Sequence, residues 1–217
     1  MPKQTFFNLP DEKRMAILDV AIVEFAENDY QSASISRMVA RLGIAKGSFY
    51  QYFEDKNDLY AFVLVLAMRE RLTFVQQHTI AAGQSFFEYV QELLEVGMRF
   101  DLAHPYPGRI VYRALFGAEP IPGESRTRIR QSLLDYQRQV LRLGVEMGEI
   151  APDVNIDLAA HMLNAVAADF GGFIAAHFQM SPEGLTPGDM TLLRATFAQA
   201  TRILRYGLSA RPPANGA

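Results

Sequence analysis

Apolar side chains recur along this chain at intervals of three and four residues, the period of a helix. Leu18, Ala21, Ile22 and Phe25 predict a first helix from about Pro10 to Asn28, with Asn8 and Asp11 reading as a capping box and Pro10 tolerated in the first turn. Ser34 caps a short second helix that buries Ile35, Met38, Val39 and Leu42, and Gly43 supplies the left-handed residue that ends it. A third helix, about Ala45 to Tyr52, is brief and aromatic. Asp55 with Asp58 caps a long fourth helix reaching the late seventies, and Ser85 with Glu88 opens a fifth that stops before His104 and Pro105. Further helices are expected over about Pro107 to Ala118, Ser125 to Met147, Asn155 to Phe178, and from a capped start at Thr186, Pro187 and Asp189 to Leu208. No stretch alternates with period two, so the fold class is all-α with about nine helices.

Ser34 to Lys56 carries the most information. Two short helices joined by a tight turn at Gly43 and packed on a longer preceding helix describe a helix-turn-helix, whose second helix lies in a DNA major groove. Gly47 lets backbone approach a duplex closely, Ser48 offers a small hydroxyl near the helix start, and Tyr50, Gln51 and Tyr52 can bond phosphates or base edges. From Tyr30 to Phe53 the chain has three basic residues, Arg37, Arg41 and Lys46, and no acidic one. Arg41, at the far end of its helix, reads as solvated.

This segment resembles the tetracycline-repressor (TetR) family of bacterial regulators. The resemblance rests on Ser34-Ile35-x-x-x-Val39-Ala40, on Leu42-Gly43-Ile44-Ala45-Lys46-Gly47-Ser48-Phe49-Tyr50, and on Tyr52-Phe53-x-x-Lys56-x-x-Leu59-Tyr60. It covers about the first quarter of the chain. The resemblance implies that Ser34, Ser36 and Arg37 contact phosphates at the start of the second helix, and that Lys46, Gly47, Ser48 and Gln51 enter the groove. Tyr50 and Tyr52 would flank the groove on phosphates, Tyr52 standing where the family often has His, and Lys56 would close on the backbone from the other side. It further implies a ligand-responsive regulator, a repressor by preference although activation stays open. Such a regulator binds a palindromic operator as a homodimer, with grooves roughly 34 Å apart.

The remainder then serves sensing and assembly. Residues 1–54 are expected to form the DNA-binding domain, 55–208 a helical effector-binding and dimerisation domain, and 209–217 a flexible tail. The segment Asn155 to Phe178 is apolar nearly all round, and the last helix carries one apolar stripe through Leu193, Phe197, Ala200, Ile203, Leu204 and Leu208. Phe170, Phe173, Ile174, Phe197, Ile203 and Leu204 are therefore expected at a four-helix dimer interface. A lipophilic effector suits the aromatic middle of the chain. Its candidate contacts are Arg99, Phe100, His104, Tyr112, Phe116, Tyr136, Gln137, His161 and Asn164, with Arg113 a further polar candidate.

Composition sharpens this picture mainly by exclusion. The 217 residues carry 21 basic and 24 acidic side chains, a formal charge of −3, which argues against a general nucleic-acid coat and confines any DNA contact to a local patch. Cysteine is absent, removing disulfides, thiolate metal sites and thiol redox sensing, and fitting a reducing cytoplasm. The longest apolar run, Tyr60 to Met68, is far short of the roughly 20 residues of a membrane span. Asp157 and His161 could share a divalent ion but lack a third ligand, so neither metal nor cofactor is expected. No Ser–His–Asp pattern or phosphate-binding glycine loop supports an enzyme. The rival reading is a helical protein-interaction module that has lost DNA binding, suggested by the acidic first helix (Asp11, Glu12, Asp19, Glu24, Glu27).

Overall fold

The computed structural model describes residues 2–116, 123–165 and 188–207, and among them every regular element is helical. In chain order these are α1 (Gln4–Phe7), α2 (Asp11–Glu27), α3 (Ile35–Leu42), α4 (Lys46–Tyr52), α5 (Lys56–Gln76), α6 (Phe86–Ala103), α7 (Pro105–Phe116), α8 (Gly123–Glu146), α9 (156–165) and α10 (Asp189–Tyr206).

The expected caps explain most of these boundaries. Ser34 Oγ accepts the Arg37 N–H at the start of α3, and Asp55 Oδ1 accepts the Asp58 N–H at 2.8 Å at the start of α5. At α6 the box is reciprocal: Glu88 N–H donates to Ser85 Oγ at 3.2 Å, and Ser85 N–H donates to Glu88 Oε2 at 3.0 Å. Gly43 ends α3 at φ 66°, where a Cβ would be strained, and this turn carries the chain into α4.

Three expectations require correction. Asn8 caps the C-terminus of α1, an element too short to show periodicity, while Pro10 precedes α2 without a side-chain cap. α7 begins at Pro105, because proline fits the first helical position, where its missing N–H costs nothing. α10 starts after Gly188 with no side-chain cap; Thr186 and Pro187 lie outside the described residues. Along α10 Leu193 is buried, and Ile203 and Leu204 are 50% and 49% exposed.

The main core is continuous from the N-terminus into the body. Phe6, Phe25, Phe49, Phe53, Leu59, Tyr60 and Val63 join Ile110, Val111 and Ala114 of α7 and Ile129 of α8 in one apolar cluster. Each fully buried phenylalanine contributes about 1.5–3 kcal/mol. Edge-to-face packing of Phe25 on Tyr60, centroids 5.1 Å apart, locks α2 onto α5. α7 doubles back on α6 through His104, and Gly108 permits this: a Cβ there would lie 2.7 Å from the Asp101 carbonyl oxygen. A second cluster joins Val75, Tyr89, Leu93 and Val96 to the partly buried Tyr136, Val140 and Leu143 of α8.

Candidate nucleic-acid interface

α3 and α4 are positioned by a buried carboxylate. Glu24 on α2 is 2% exposed, and its Oε1 accepts the Ser34 N–H at 2.9 Å and the Arg37 guanidinium at 2.9 and 2.6 Å. Arg37 also donates to the Ser32 carbonyl at 2.7 Å. One charged pair thus fixes the entrance to α3, a charge-assisted arrangement stronger than neutral hydrogen bonds. Glu24 had counted as part of an acidic helix surface; it faces inward and is neutralised. Glu27 lies 4.0 Å from Arg41, which is half-exposed, in line with a solvated side chain.

Lys56 is likewise engaged within the chain. Its ammonium donates to the carbonyls of Tyr30, Gln31 and Ala33 at 2.7, 3.1 and 3.0 Å and sits 4.7 Å above the Tyr30 ring. It therefore ties the α2–α3 turn to the first turn of α5. Tyr52 is 7% exposed and packs near Phe6 inside the core. Of the three residues for which the resemblance implies phosphate contacts here, Tyr52 is turned into the core, Lys56 is partly buried on carbonyls, and Arg37 holds Glu24 while its side chain stays about half exposed.

The other seven candidates share an accessible surface. Ser36 on α3 and Lys46, Gly47, Tyr50 and Gln51 on α4 are exposed, and Ser34 and Ser48 are half-buried. Gly47 sits inside α4 with ordinary helical backbone, and a Cβ built on it would meet nothing within 4 Å. Glycine in a helix costs up to about 1 kcal/mol relative to alanine. Nothing within the described residues requires it.

The candidates of the sensing body fall on four helices. Phe100 and His104 are adjacent at the end of α6, rings 4.5 Å apart, with Phe74 of α5 beside them and Arg99 exposed. Tyr112 is buried on α7, and the side chain of Phe116 lies outside the described residues. On α8 the Tyr136 hydroxyl and Gln137 Oε1 are buried with no hydrogen-bond partner among the described residues, as is Thr201 Oγ1 on α10. Burial also pushes the Tyr136 phenol far above its ordinary range. On α9 Asn164 is half-buried, and exposed His161 contacts the Asp157 carbonyl at 2.8 Å. The Asp157 carboxylate pairs with Arg138 at 2.7 Å instead, and no cluster of metal-ligating residues occurs among the described residues. Phe170, Phe173 and Ile174 lie outside the described residues, and Phe197 is half-buried.

Sequence reasoning missed two arrangements. Arg113 is tied to α2: its Nη1 donates to the carbonyls of Phe25 and Asn28 at 3.3 and 3.0 Å, and Arg109 reaches Ala26 at 3.4 Å. α7 thereby caps the C-terminus of α2, where cations complement the helix dipole. The second is α1, which closes on the end of α4. Neither has a sequence signal, because each joins residues distant along the chain.

A helix-turn-helix with an open face on its second helix, carried by a larger helical body, defines a DNA-binding regulator. The comparisons agree. Residues 17–63 match the model of bacterial regulatory proteins of the tetR family, and residues 84–209, more than half the chain, match the tetracyclin repressor-like C-terminal domain. The protein belongs to the TetR family of transcriptional regulators. A TetR family transcriptional regulator from Chloroflexus aurantiacus is 39% identical, with 95% of this chain and 98% of that one covered and a TM-score of 0.61. The fatty acid metabolism regulator protein of Bacillus subtilis is 26% identical over 156 residues, 70% of this chain and 77% of its own. The transcriptional repressor AcnR of Corynebacterium glutamicum is 26% identical over 178 residues, 82% and 88% respectively. The structure of the regulator FadR of Bacillus subtilis in complex with stearoyl-CoA shares the fold at 17% identity, with 90% and 99% covered and a TM-score of 0.62. No described helix is long and apolar enough to cross a membrane.

Proposed function

We propose that this chain is a cytoplasmic repressor that binds a palindromic operator as a homodimer and leaves it when a lipophilic effector enters the helical body. The observation that carries the DNA reading is the open face of α4, where a glycine without an internal reason sits between Lys46 and the exposed Tyr50 and Gln51. Lys46, Gly47, Ser48 and Gln51 enter the groove; Ser34, Ser36 and Tyr50 hold flanking phosphates. Arg37, Tyr52 and Lys56 act by holding the reading unit in shape. Residues 1–54 form that unit, 55–208 sense and dimerise, and 209–217 form a tail.

Dimerisation is supported by apolar side chains exposed on the two helices expected to pair: Leu158 and Met162 on α9, Leu192, Ile203 and Leu204 on α10. Effector binding is supported by the buried polar atoms of Tyr136, Gln137 and Thr201 that have no hydrogen-bond partner among the described residues, since a ligand group bonding them would relieve a desolvation cost. The stearoyl-CoA complex of the Bacillus subtilis regulator makes a long-chain acyl-CoA the first effector to test. The arginine clamp from α7 to α2 gives a ligand in the body a direct handle on the reading unit, beside α5 itself.

The test is a gel-shift assay on the chain's own upstream region. A salt-sensitive shift, abolished by Lys46→Ala and reversed by stearoyl-CoA but not by free CoA, is expected. No shift on any fragment would favour the protein-interaction reading, and a shift unaffected by Lys46→Ala at moderate salt would refute the groove assignment.

A further inference from the structure

We infer that α1 is a positioning element for the reading helix, and that Lys3 and Thr5 hold α4 in its binding-competent form. The inference rests on the reading of α4 as the base-reading helix and goes beyond it, because α1 lies outside every motif that identified that helix.

α4 is seven residues long, well below the length at which a helix persists alone. The last four carbonyls of any helix lack partners within it. In α4 all four find one, three of them from Lys3 and Thr5 at the start of α1. Phe53 N–H donates to the Phe49 carbonyl at 3.0 Å, the ordinary end of the ladder. Lys3 Nζ then donates to the Tyr50 carbonyl at 3.0 Å, the Thr5 hydroxyl donates to the Gln51 carbonyl, and Lys3 N–H donates to the Tyr52 carbonyl at 2.8 Å. The Lys3 ammonium also lies 3.0 Å from the Glu54 carboxylate and places a positive charge at the negative end of the α4 dipole.

α1 is itself anchored. Phe6 is fully buried, with its ring 4.9 Å from Phe53, 6.5 Å from Tyr52 and 5.8 Å from Phe62 of α5. The clamp thus joins α4 to the same phenylalanines that seat it on α5. The clamp takes backbone carbonyls of Tyr50, Gln51 and Tyr52 and leaves the exposed side chains of Lys46, Tyr50 and Gln51 free, so it removes the alternative of fraying without covering the reading face. Without it, some molecules would hold α4 unwound, and apparent operator affinity would fall by the fraction that remains competent.

The experiment compares Lys3→Met with Thr5→Val and the double variant, with Lys3→Arg and Thr5→Ser as conservative rescues, all in the full chain. Operator binding is measured by fluorescence anisotropy across a salt series, and backbone amide exchange is followed in parallel. The double variant is expected to bind on the order of 10-fold more weakly. The slope of log affinity against log salt should stay unchanged, amides of α4 should exchange faster while those of α6 keep their protection, and the conservative variants should restore binding. A slope smaller by about one for Lys3→Met would show Lys3 pairing directly with a phosphate, and would overturn the inference. Unchanged affinity in the double variant, or faster exchange throughout the chain, would overturn it too. If the wild-type chain bound no DNA, the functional reading would fail, whereas the exchange measurement would still decide whether α1 holds α4.

Discussion

Replacing Gly47 by alanine should make this protein more stable and a poorer DNA binder at once. Gly47 is the second residue of α4, its backbone is helical, and a methyl group there would meet nothing within 4 Å. Alanine is favoured over glycine by about 0.8–1.0 kcal/mol in a helix interior; near the start, about half of that is a fair expectation. For a chain of this size, 0.5 kcal/mol raises Tm by roughly 1–2 °C. The space the methyl would occupy is that claimed for the duplex. Losing a close backbone approach, with the base-edge contacts beside it, costs on the order of 1–3 kcal/mol, or roughly 5- to 150-fold in Kd. Thermal unfolding followed by circular dichroism and anisotropy titration of labelled operator at fixed salt would read the two effects separately. A stabilised variant that binds its operator as well as the parent would refute the placement of Gly47 against DNA. A destabilised variant would refute the claim that its surroundings are open.

Further expectations concern the frame behind the interface. Lys56→Met removes three charge-assisted bonds to the α2–α3 turn and should cost about 2 kcal/mol in urea unfolding, with the salt slope of operator binding unchanged; a slope lower by about one would return Lys56 to a phosphate. Arg113→Ala frees the end of α2 from α7, and the ratio of operator affinities without and with stearoyl-CoA should shrink about 2- to 30-fold; an unaltered ratio would remove the clamp from the switch. Bonds from the Ser85 N–H and hydroxyl hold the Glu88 carboxyl below its ordinary 4.5, and a backbone bond from Ser32 does the same for Asp29. Native carboxyls with lowered pKa contribute stability above the unfolded-state value and lose it as pH falls, so unfolding should ease below about pH 4.5. Glu88→Gln should flatten that dependence in urea titrations at pH 7 and 3.5, and an equally steep loss would assign it elsewhere.

Much of this was legible in the sequence because it is local. Ser34, Asp55 and Ser85 announce their helices through a bond spanning three residues, and Gly43 through a backbone that only glycine adopts readily. The motif likewise located the reading helix, since its residues are contiguous. What stayed hidden depends on partners far along the chain. Glu24 looks like any acidic surface residue until Ser34 and Arg37, ten and thirteen positions on, are seen to enclose it. Lys56 and Tyr52 are of the chemical types that phosphates attract, and only the fold reveals them spent on carbonyls and on Phe6. Arg113 was legible as polar within an apolar neighbourhood, but the neighbour it serves is α2, 85 residues away.

The apolar cluster that runs without a break from Phe6 to Ile129 bears on how such regulators can be rebuilt. Exchanging the reading head of such a regulator just before α5 would treat it as a detachable cartridge. Here such a cut would part Phe25 of α2 from Tyr60 of α5 and from α7's Ile110, Val111 and Ala114, leaving a hydrophobic wound on both fragments. A working chimaera would have to carry α7 with the head, or redesign the seam residue by residue. The unit that can be inherited or transplanted whole in this protein is therefore larger than the one that touches DNA.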